Sequence, residues 1–231
     1  MLLRIPALLS PTALAACRKL IDQADWADGK LTAGLQSARV KNNRQLPEDD
    51  VAANAARAIV IAALGKSALF MTGALPKKTY PPLFNRYDGA ANAFGSHIDN
   101  AVRTSVVSGS WVRTDLSATL FLSDPTSYDG GELVIEGSFG TQEVKLAAGD
   151  LILYPASSRH QVMPVTRGTR LACFFWIESM VREDARRQLL FDLDMAILSL
   201  RSAVPEGQPE PDEVVKLTGC YHNLLRMWAD T

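Results

Sequence analysis

The spacing of apolar residues changes twice along the chain and divides the sequence into three parts. In the first part, apolar residues recur every three or four positions, which predicts helices over about residues 10–26 and 48–64. Ser10 followed by Pro11 is typical of a helix start, because serine caps the helix and proline suits its first turn. The polar stretch 30–47 lacks this spacing and is predicted to be irregular.

From residue 68 onward, short apolar runs replace the helical spacing, and turn residues such as Gly, Pro, Asp and Ser separate them. Runs of this length between turn signals are typical of β-strands. The predicted strands are 68–74, 83–87, 96–99, 116–122, 132–135, 143–146, 150–154, 161–164 and 170–177. Many short strands joined by turns predict a sandwich or barrel of the jelly-roll type.

The helical spacing returns after Glu178. It predicts one helix over residues 181–200 and a last helix over 212–228, with a Pro-rich linker at 205–211. The apolar side of the first of these helices is predicted to carry Leu189, Leu190, Leu193, Ile197, Leu198 and Leu200. The complete pattern predicts an α+β fold, in which a jelly-roll core carries N-terminal helices and a C-terminal helical extension.

Composition and charge limit the classes of partner. The chain has 231 residues, of which 47% are hydrophobic and 21% are charged, and its formal net charge is −1. This near-neutral balance gives no electrostatic reason to expect a nucleic acid or an anionic membrane as partner. No apolar run approaches the ~20 residues of a membrane span. Arg4 and Pro6 interrupt the apolar N-terminus, so it is not interpreted as a signal peptide.

The three cysteines show no paired spacing. An odd number of scattered cysteines favours a reducing compartment over a disulfide framework, so we predict a cytoplasmic location. Cys173 lies inside a predicted apolar strand and is interpreted as a small core residue.

His97 and Asp99 form the most specific chemical signal. Residues two apart on an extended strand point to the same face, so these two side chains could hold one metal ion. His160 follows a predicted strand and can supply a third ligand. Two histidines and one carboxylate are the ligand set of non-heme Fe(II) oxygenases. The alternative is that His97 is a surface histidine beside an ordinary aspartate. His222, in the last predicted helix, is interpreted as a surface or packing residue.

Arg170 opens the apolar strand 170–177, where a charge requires a partner. Its guanidinium fork can bind a carboxylate through two parallel hydrogen bonds, and a dicarboxylate cosubstrate would supply that group. Arg170, Ala172, Phe174 and Trp176 are predicted to share one face of the strand. The alternative is a structural ion pair with an acidic residue.

Arg103 and Arg113 flank the segment 104–110, which is rich in Ser and Val. Two arginines in such a place can meet an acidic substrate. A solvated loop is the preferred interpretation.

A resemblance to a known family rests on five motifs. They are His97-Ile-Asp99, Gly130-Gly-Glu-Leu133, Ala148-Gly-Asp-Leu-Ile-Leu-Tyr-Pro155, His160 and Thr166-Arg-Gly-Thr-Arg170. With these motifs the chain resembles the Fe(II)- and 2-oxoglutarate-dependent dioxygenases of the prolyl-4-hydroxylase-like branch. It resembles more closely the bacterial PKHD-type hydroxylases, a group associated with iron uptake. The resemblance covers nearly the whole chain.

The resemblance implies a double-stranded β-helix with a role for each matching residue. His97, Asp99 and His160 match the iron ligands, and Arg170 matches the residue that binds the distal carboxylate of 2-oxoglutarate. Tyr87 matches a tyrosine that contacts this cosubstrate in animal prolyl hydroxylases, although the strand 118–123 lacks their second tyrosine.

The resemblance also implies the reaction and the boundaries of the domains. Oxidative decarboxylation of 2-oxoglutarate to succinate would consume O2 and hydroxylate an unidentified small-molecule or peptidyl substrate, with L-ascorbate as accessory reductant. The dioxygenase domain is expected over residues 78–178, after an N-terminal helical segment over 1–77 and before a C-terminal helical extension over 179–231. The leucine content of that extension predicts a homo-oligomer.

Two other classes of function stay open on the residues alone. One is a cupin-like metal enzyme without oxygenase activity, such as an isomerase, which has no need for Arg170. The other is a non-catalytic sensor or binding module, in which a broken set of metal ligands would be expected. The sequence keeps all three ligands and the arginine, so the oxygenase is preferred.

Overall fold

The structure is a computed structural model that describes residues 1–32, 35–106, 109–137 and 140–231. Its helices are α1 (Pro11–Ile21), α2 (Leu35–Val40), α3 (Val51–Leu64), α4 (Ala68–Ala74), α5 (Asp184–Ser202) and α6 (Asp212–Trp228). Its strands are β1 (Leu3–Ile5), β2 (Ala27–Asp28), β3 (Lys41–Asn42), β4 (Arg44–Gln45), β5 (Pro76–Thr79), β6 (Leu83–Tyr87), β7 (Ala93–His97), β8 (Val102–Thr104), β9 (Trp111–Arg113), β10 (Leu116–Phe121), β11 (Asp129–Gly130), β12 (Leu133–Gly137), β13 (Gly140–Val144), β14 (Leu151–Pro155), β15 (His160–Val162), β16 (Val165–Arg167) and β17 (Arg170–Ser179).

Two antiparallel sheets form the centre of the fold. The larger sheet has the strand order β1-β14-β10-β17-β6-β4-β2, and β5 pairs with β17 beside this path. The smaller sheet has the order β13-β12-β15-β7-β3. Buried residues of both sheets, including Tyr87, Phe121, Leu133 and Val162, pack into one apolar cluster between them. The predicted α+β fold with a jelly-roll core is confirmed.

The outer face of the larger sheet carries the main apolar core. Helices α1, α3 and α4 cover this face, and residues such as Val60 and Phe70 pack against Leu120 and Phe175. Cys173 is fully buried in this core, as predicted. Side chains alternate along β17, so Leu171, Cys173, Phe175 and Ile177 face the helices while Arg170, Phe174 and Trp176 line a cavity between the sheets.

Helices α5 and α6 pack beside α4 and form a separate small core. Leu75, Val181 and Leu190 are buried there, against partly buried residues of α6 such as Leu224 and Trp228. The predicted bounds of the last helix are confirmed, whereas α5 begins at Asp184, three residues later than predicted.

The apolar side predicted for α5 is only partly right. Leu190 and Ile197 are buried, but Leu189, Leu198 and Leu200 are exposed. The predicted apolar side is wider than the face that α4 and α6 cover.

Helix α1 ends at Ile21, five residues before its predicted end, and two further local predictions are wrong in the type of structure. Residues 68–74 form helix α4 and not a strand, because the Ser67 hydroxyl accepts a hydrogen bond from the Phe70 amide at 3.2 Å and caps the helix. The stretch 30–47 is not irregular. It contains α2 and the short strands β3 and β4, which pair with β7 and β6.

Among the described residues, no single helix has both the length and the apolar character to cross a membrane. Helices α3 and α4 meet that test only as a pair, with a bend of 85° between them.

Candidate metal centre

A cavity between the two sheets holds the predicted site. Side chains from both sheets line it, among them His97, Tyr154, His160 and Arg170. Exposure rises from one end to the other: the side chain of Arg170 is 1% exposed, Arg103 is half-buried and Asn100 is exposed. The cavity is therefore closed at the Arg170 end and open near Asn100.

Pairing of β15 with β7 brings the two histidines together. His160 lies opposite His97 in the register of these strands, and their ring centroids are 4.2 Å apart. Asp99 lies just beyond the end of β7, and its carboxylate is 3.7 Å from Nε2 of His160. One ligand atom from each residue lies within 4.8 Å of the others, as binding to one ion requires. The strand ends at His97, so the predicted strand over 96–99 is shifted and Asp99 approaches from a loop.

Hydrogen bonds hold each of these side chains in an orientation that suits metal binding. Nδ1 of His97 lies 2.8 Å from the Gly95 carbonyl oxygen, and Nδ1 of His160 lies 3.0 Å from that of Ser158. Each carbonyl accepts the Nδ1 proton, so Nε2 keeps its lone pair for a metal. The Ser117 hydroxyl donates to Asp99 Oδ2 at 2.6 Å.

His97 is 5% exposed, so the alternative of a surface histidine is wrong. Burial and the adjacent His160 lower the pKa of His97 to about 4. The ring is therefore neutral near pH 7, which is the form that binds metals. The Phe94 ring stacks on it at 3.6 Å between centroids. Two imidazoles and one carboxylate fit a borderline metal such as Fe(II).

Arg170 lies at the closed end of the cavity, and none of the described acidic residues forms an ion pair with it. Its guanidinium lies 5.2 Å from the centroid of the Tyr87 ring and 5.3 Å from that of Phe121. Within the described ranges, neither its Nε nor its Nη1 has a hydrogen-bond partner, although both atoms are buried. The alternative of a structural ion pair finds no support there. A buried cation without a partner is costly, and an anion bound in the cavity would satisfy it.

Gly131 of the Gly130-Gly-Glu motif leaves room for the side chain of Arg170. Gly131 has a φ of +70°, and a Cβ at this position would lie 3.0 Å from Cδ of Arg170 and 3.0 Å from the Tyr128 ring. A side chain at Gly131 would therefore displace the arginine. Tyr87 lies directly opposite Arg170 in the pairing of β6 with β17, so its ring forms the cavity wall at this end.

Lys41, Asn43 and Gln45 line the cavity and were missed in the sequence. All three are buried, and they alternate with the more exposed Asn42 and Arg44. The polar residues of this stretch alternate between buried and more exposed positions. An interpretation based on the spacing of apolar residues does not detect this alternation. Burial and the charge of Arg103 lower the pKa of Lys41 to about 7.

Arg103 and Arg113 lie on neighbouring strands of a hairpin, so the preferred interpretation as a solvated loop is wrong for both. Arg113 pairs with Asp115 at 2.8 Å and with Glu178 at 3.6 Å, which makes it structural. Arg103 lines the cavity and lies over the Trp176 ring at 4.0 Å. Residues 107 and 108 of the connecting segment lie outside the described residues.

His222 is exposed on α6 beside Tyr221, as predicted, and is not part of the cavity.

Comparison with known proteins identifies the family of the chain. Residues 82–178 match the 2OG-Fe(II) oxygenase superfamily, and residues 184–230 match the PKHD-type hydroxylase C-terminal domain. A PKHD-type hydroxylase of Xanthomonas campestris pv. campestris (strain B100) is 59% identical over 232 residues, and one of Polaromonas sp. is 56% identical over 231 residues. Each alignment covers 100% of both chains.

The same fold occurs in solved structures of low sequence identity. A prolyl-4-hydroxylase of Pseudomonas putida superposes with a TM-score of 0.52 at 19% identity, covering 77% of this chain and 92% of that one. A prolyl hydroxylase of Trichoplax adhaerens gives 0.52 at 12% identity, covering 82% and 86%. The fold and the motifs thus define a 2-oxoglutarate- and Fe(II)-dependent oxygenase. Within that class, the full-length relatives show that the chain belongs to the PKHD-type hydroxylases.

Proposed function

We propose that His97, Asp99 and His160 hold the iron of this dioxygenase and that Arg170 binds the distal carboxylate of 2-oxoglutarate. The observation that carries the proposal is the buried guanidinium of Arg170, whose Nε and Nη1 have no hydrogen-bond partner among the described residues. It lies in the same cavity as the three side chains that could hold a metal. A dicarboxylate with one end at the metal and the other at Arg170 satisfies both requirements.

Iron and the cosubstrate, when bound with O2, supply an oxidative hydroxylation: 2-oxoglutarate, O2 and a C–H bond give succinate, CO2 and an alcohol. The residues of the chain bind and orient the iron and the cosubstrate, and they exclude water from the site. Ser117 orients the Asp99 carboxylate. The Tyr87 ring contacts the cosubstrate at the Arg170 end, and the buried aromatic wall keeps this end dry.

The substrate of this proposal is a small molecule or a peptidyl group connected with iron uptake, as the resemblance to PKHD-type hydroxylases implies. L-ascorbate serves as accessory reductant. The cytoplasm is the proposed location, because Cys17 and Cys173 are free thiols in the core and Cys220 is a free thiol on the surface. Residues 78–178 form the dioxygenase domain, between the segments 1–77 and 179–231.

The helical extension is proposed to join two copies of the chain. Leu189, Leu198 and Leu200 of α5, and Val215 and Met227 of α6, are exposed. Light scattering at micromolar concentration tests this proposal, and the mass of a monomer would contradict it.

A titration of 2-oxoglutarate into the anaerobic Fe(II) protein tests the site, with the metal-to-ligand charge-transfer band as readout. Arg170→Ala removes a two-pronged charged contact of about 2–5 kcal/mol, so cosubstrate affinity should fall roughly 30- to 5,000-fold. Arg170→Lys keeps the charge without the fork and should recover part of that affinity.

Iron content serves as the control, because Arg170 is not a metal ligand and neither substitution should change it. If the wild-type protein shows no such band, or if Arg170→Ala binds 2-oxoglutarate as tightly as wild type, the cupin-like metal enzyme becomes the better description.

A further inference from the structure

Three buried tyrosines, Tyr87, Tyr128 and Tyr154, belong to the apolar cluster between the two sheets. Tyr87 already has a place in the proposed site, opposite Arg170. Tyr128 is not among the described residues that line the cavity, whereas Tyr154 lines it and is 4% exposed. Tyr154 therefore brings to the cavity a buried polar group to which the proposed site assigns no role.

Pairing of β14 with β10 places Tyr154 beside the metal-binding residues. In the register of these strands it lies opposite Ser117, whose hydroxyl donates to Asp99. The Tyr154 ring also meets the His160 ring edge to face, with 5.1 Å between the two centroids. The backbone and the ring of Tyr154 therefore lie at the metal end of the cavity.

The phenol group reaches from this end towards Arg170. A hydrogen bond joins it to the side chain of Thr119, which lies two residues beyond Ser117 on β10. Phe121 is the next residue on the same face of β10, and its ring centroid lies 5.3 Å from the Arg170 guanidinium. Tyr154 thus lies along the space between the metal-binding side chains and the arginine. The proposed site assigns this space to 2-oxoglutarate.

The phenol is a hydrogen-bond donor near pH 7. Burial and the charge of Asp99 raise the pKa of Tyr154, and the opposing effects of Thr119 and Arg170 are smaller. The group therefore keeps its proton. A threonine hydroxyl donates as well as accepts, so Thr119 can donate to the phenol oxygen and leave the phenol proton for a ligand. A carboxylate is the acceptor with which such a donor forms its strongest hydrogen bond.

We propose that Tyr154 donates a hydrogen bond to the distal carboxylate of 2-oxoglutarate, beside Arg170, and that Thr119 positions the phenol for this contact. The inference deepens the proposed function and rests on it, because it needs Arg170 at the same carboxylate. A 2-oxo acid that lacks the distal carboxylate offers no acceptor to the phenol. Tyr154 therefore raises the selectivity of the cavity for the dicarboxylate.

Titration of two 2-oxo acids into the anaerobic Fe(II) protein tests this contact, with the metal-to-ligand charge-transfer band as readout. 2-Oxopentanoate has the 2-oxo acid group and the chain length of 2-oxoglutarate but lacks its distal carboxylate. Tyr154→Phe removes only the hydroxyl and should weaken 2-oxoglutarate binding roughly 10- to 100-fold, as loss of a hydrogen bond to a charged group does. Its affinity for 2-oxopentanoate should equal that of wild type. Thr119→Val should weaken 2-oxoglutarate binding by a smaller factor than Tyr154→Phe.

The matched control is Tyr221→Phe. Tyr221 of α6 also shares a hydrogen bond with a threonine, Thr72 of α4, and it packs in the small core of the C-terminal helices. This substitution should leave both affinities unchanged. Iron content should stay at the wild-type level in Tyr154→Phe, because the ring that packs against His160 remains.

A double variant gives a second measurement that does not need 2-oxopentanoate. In Arg170→Ala the distal carboxylate is no longer held beside the phenol. Addition of Tyr154→Phe to this variant should therefore weaken 2-oxoglutarate binding further by less than about threefold, because the two contacts depend on each other.

Four results would overturn the contact while wild type shows the band and Arg170→Ala weakens 2-oxoglutarate binding. They are wild-type 2-oxoglutarate affinity in Tyr154→Phe, an equal loss of affinity for both 2-oxo acids, a loss of iron from Tyr154→Phe, and fully additive losses in the double variant. If wild type shows no band, or if Arg170→Ala binds 2-oxoglutarate as tightly as wild type, the proposed function itself fails, and this inference fails with it.

Discussion

Arg170 and Arg187 are buried to the same extent, at 1% exposure, and Nε of each has no hydrogen-bond partner among the described residues, but the surroundings of their terminal nitrogens differ. Arg187 lies at the junction between the larger sheet and the C-terminal helices. Its Nη1 donates to the carbonyls of Val181 and Arg182, both at 2.7 Å, and its Nη2 donates to Asp184 at 3.0 Å. Arg170 faces a cavity and has no such partners on Nε or Nη1 within the described part of the chain.

The difference separates an arginine that builds the fold from one that is placed for a ligand. Backbone carbonyls and the Asp184 carboxylate accept hydrogen bonds from the terminal nitrogens of Arg187. This arginine therefore stabilises the folded protein whether or not a ligand is bound. In the proposed site, the buried charge of Arg170 lowers the stability of the folded protein until an anion binds. The arginine then contributes to the free energy of anion binding. Variants in the cavity should therefore change binding, and variants at the junction should change stability.

The largest effect is expected at the metal ligands. His97→Ala and Asp99→Ala should each abolish succinate formation and iron binding, because each removes one of three ligands. Thermal unfolding should change little, since an unfilled site adds no stability in the apoprotein. Iron content, succinate release and melting temperature are the measurements. Full activity in either variant would refute the ligand assignment.

Exchange of the two arginines for methionine tests the comparison directly. Arg187→Met should lower the free energy of unfolding by about 3 kcal/mol, because two buried carbonyls and Asp184 lose their donor. Arg170→Met should leave it unchanged or raise it, because it removes a buried charge whose Nε and Nη1 have no hydrogen-bond partner among the described residues.

Urea unfolding of both apoproteins measures this difference. Equal losses of stability would show that Arg170 is also structural.

Substitution of two buried serines tests the same difference between the cavity and the junction, with smaller expected effects. Ser117→Ala should lower iron affinity roughly 10- to 100-fold, because its hydroxyl orients the Asp99 carboxylate. Ser179→Ala is the matched variant at the junction, where the hydroxyl donates to the Leu75 carbonyl at 3.2 Å. It should lower stability and leave iron affinity unchanged. A similar loss of iron affinity in both serine variants would speak against an orienting role.

The smallest effect is expected at Tyr80, a buried residue that packs against Trp176 of the cavity wall. Tyr80→Phe removes one hydrogen bond to Glu48 and should lower the free energy of unfolding by about 1 kcal/mol. Binding of 2-oxoglutarate should be unaffected, because Tyr80 contacts Trp176, which is six residues from Arg170 on β17. A large loss of cosubstrate affinity would show that the packing around Trp176 and the closed end of the cavity are coupled.

The sequence was informative where periodicity and composition agree. The strand Leu83–Tyr87 and the helix Asp212–Trp228 follow the predicted bounds. Turn residues on both sides, Pro82 and Asp88, mark the strand, and the helical spacing of apolar residues marks the helix. His97, Asp99, His160 and Arg170 could be selected because charged residues next to apolar strands are rare and need a reason.

Other parts depend on contacts that no local pattern reveals. Ala68–Ala74 is uniformly apolar, so its sequence does not distinguish a strand from a buried helix. Lys41 and Asn43 point inward because β3 pairs with β7, a partner about fifty residues away in the chain. Arg103 reaches the cavity through the hairpin of β8 and β9, whose role only the tertiary fold decides.

The position of β17 has a consequence for synthesis on the ribosome. This strand is the last of the larger sheet to emerge, yet it lies in its interior between β10 and β6. Until it emerges, β10 and β6 each present an open strand edge, and the sheet consists of two separate halves. Nascent chains that stop before Arg170 thus carry exposed edges prone to pairing with other chains. The strand that carries Arg170, the proposed anion-binding residue, is also the one that joins the two halves of the sheet, so a chain cannot complete its fold without it.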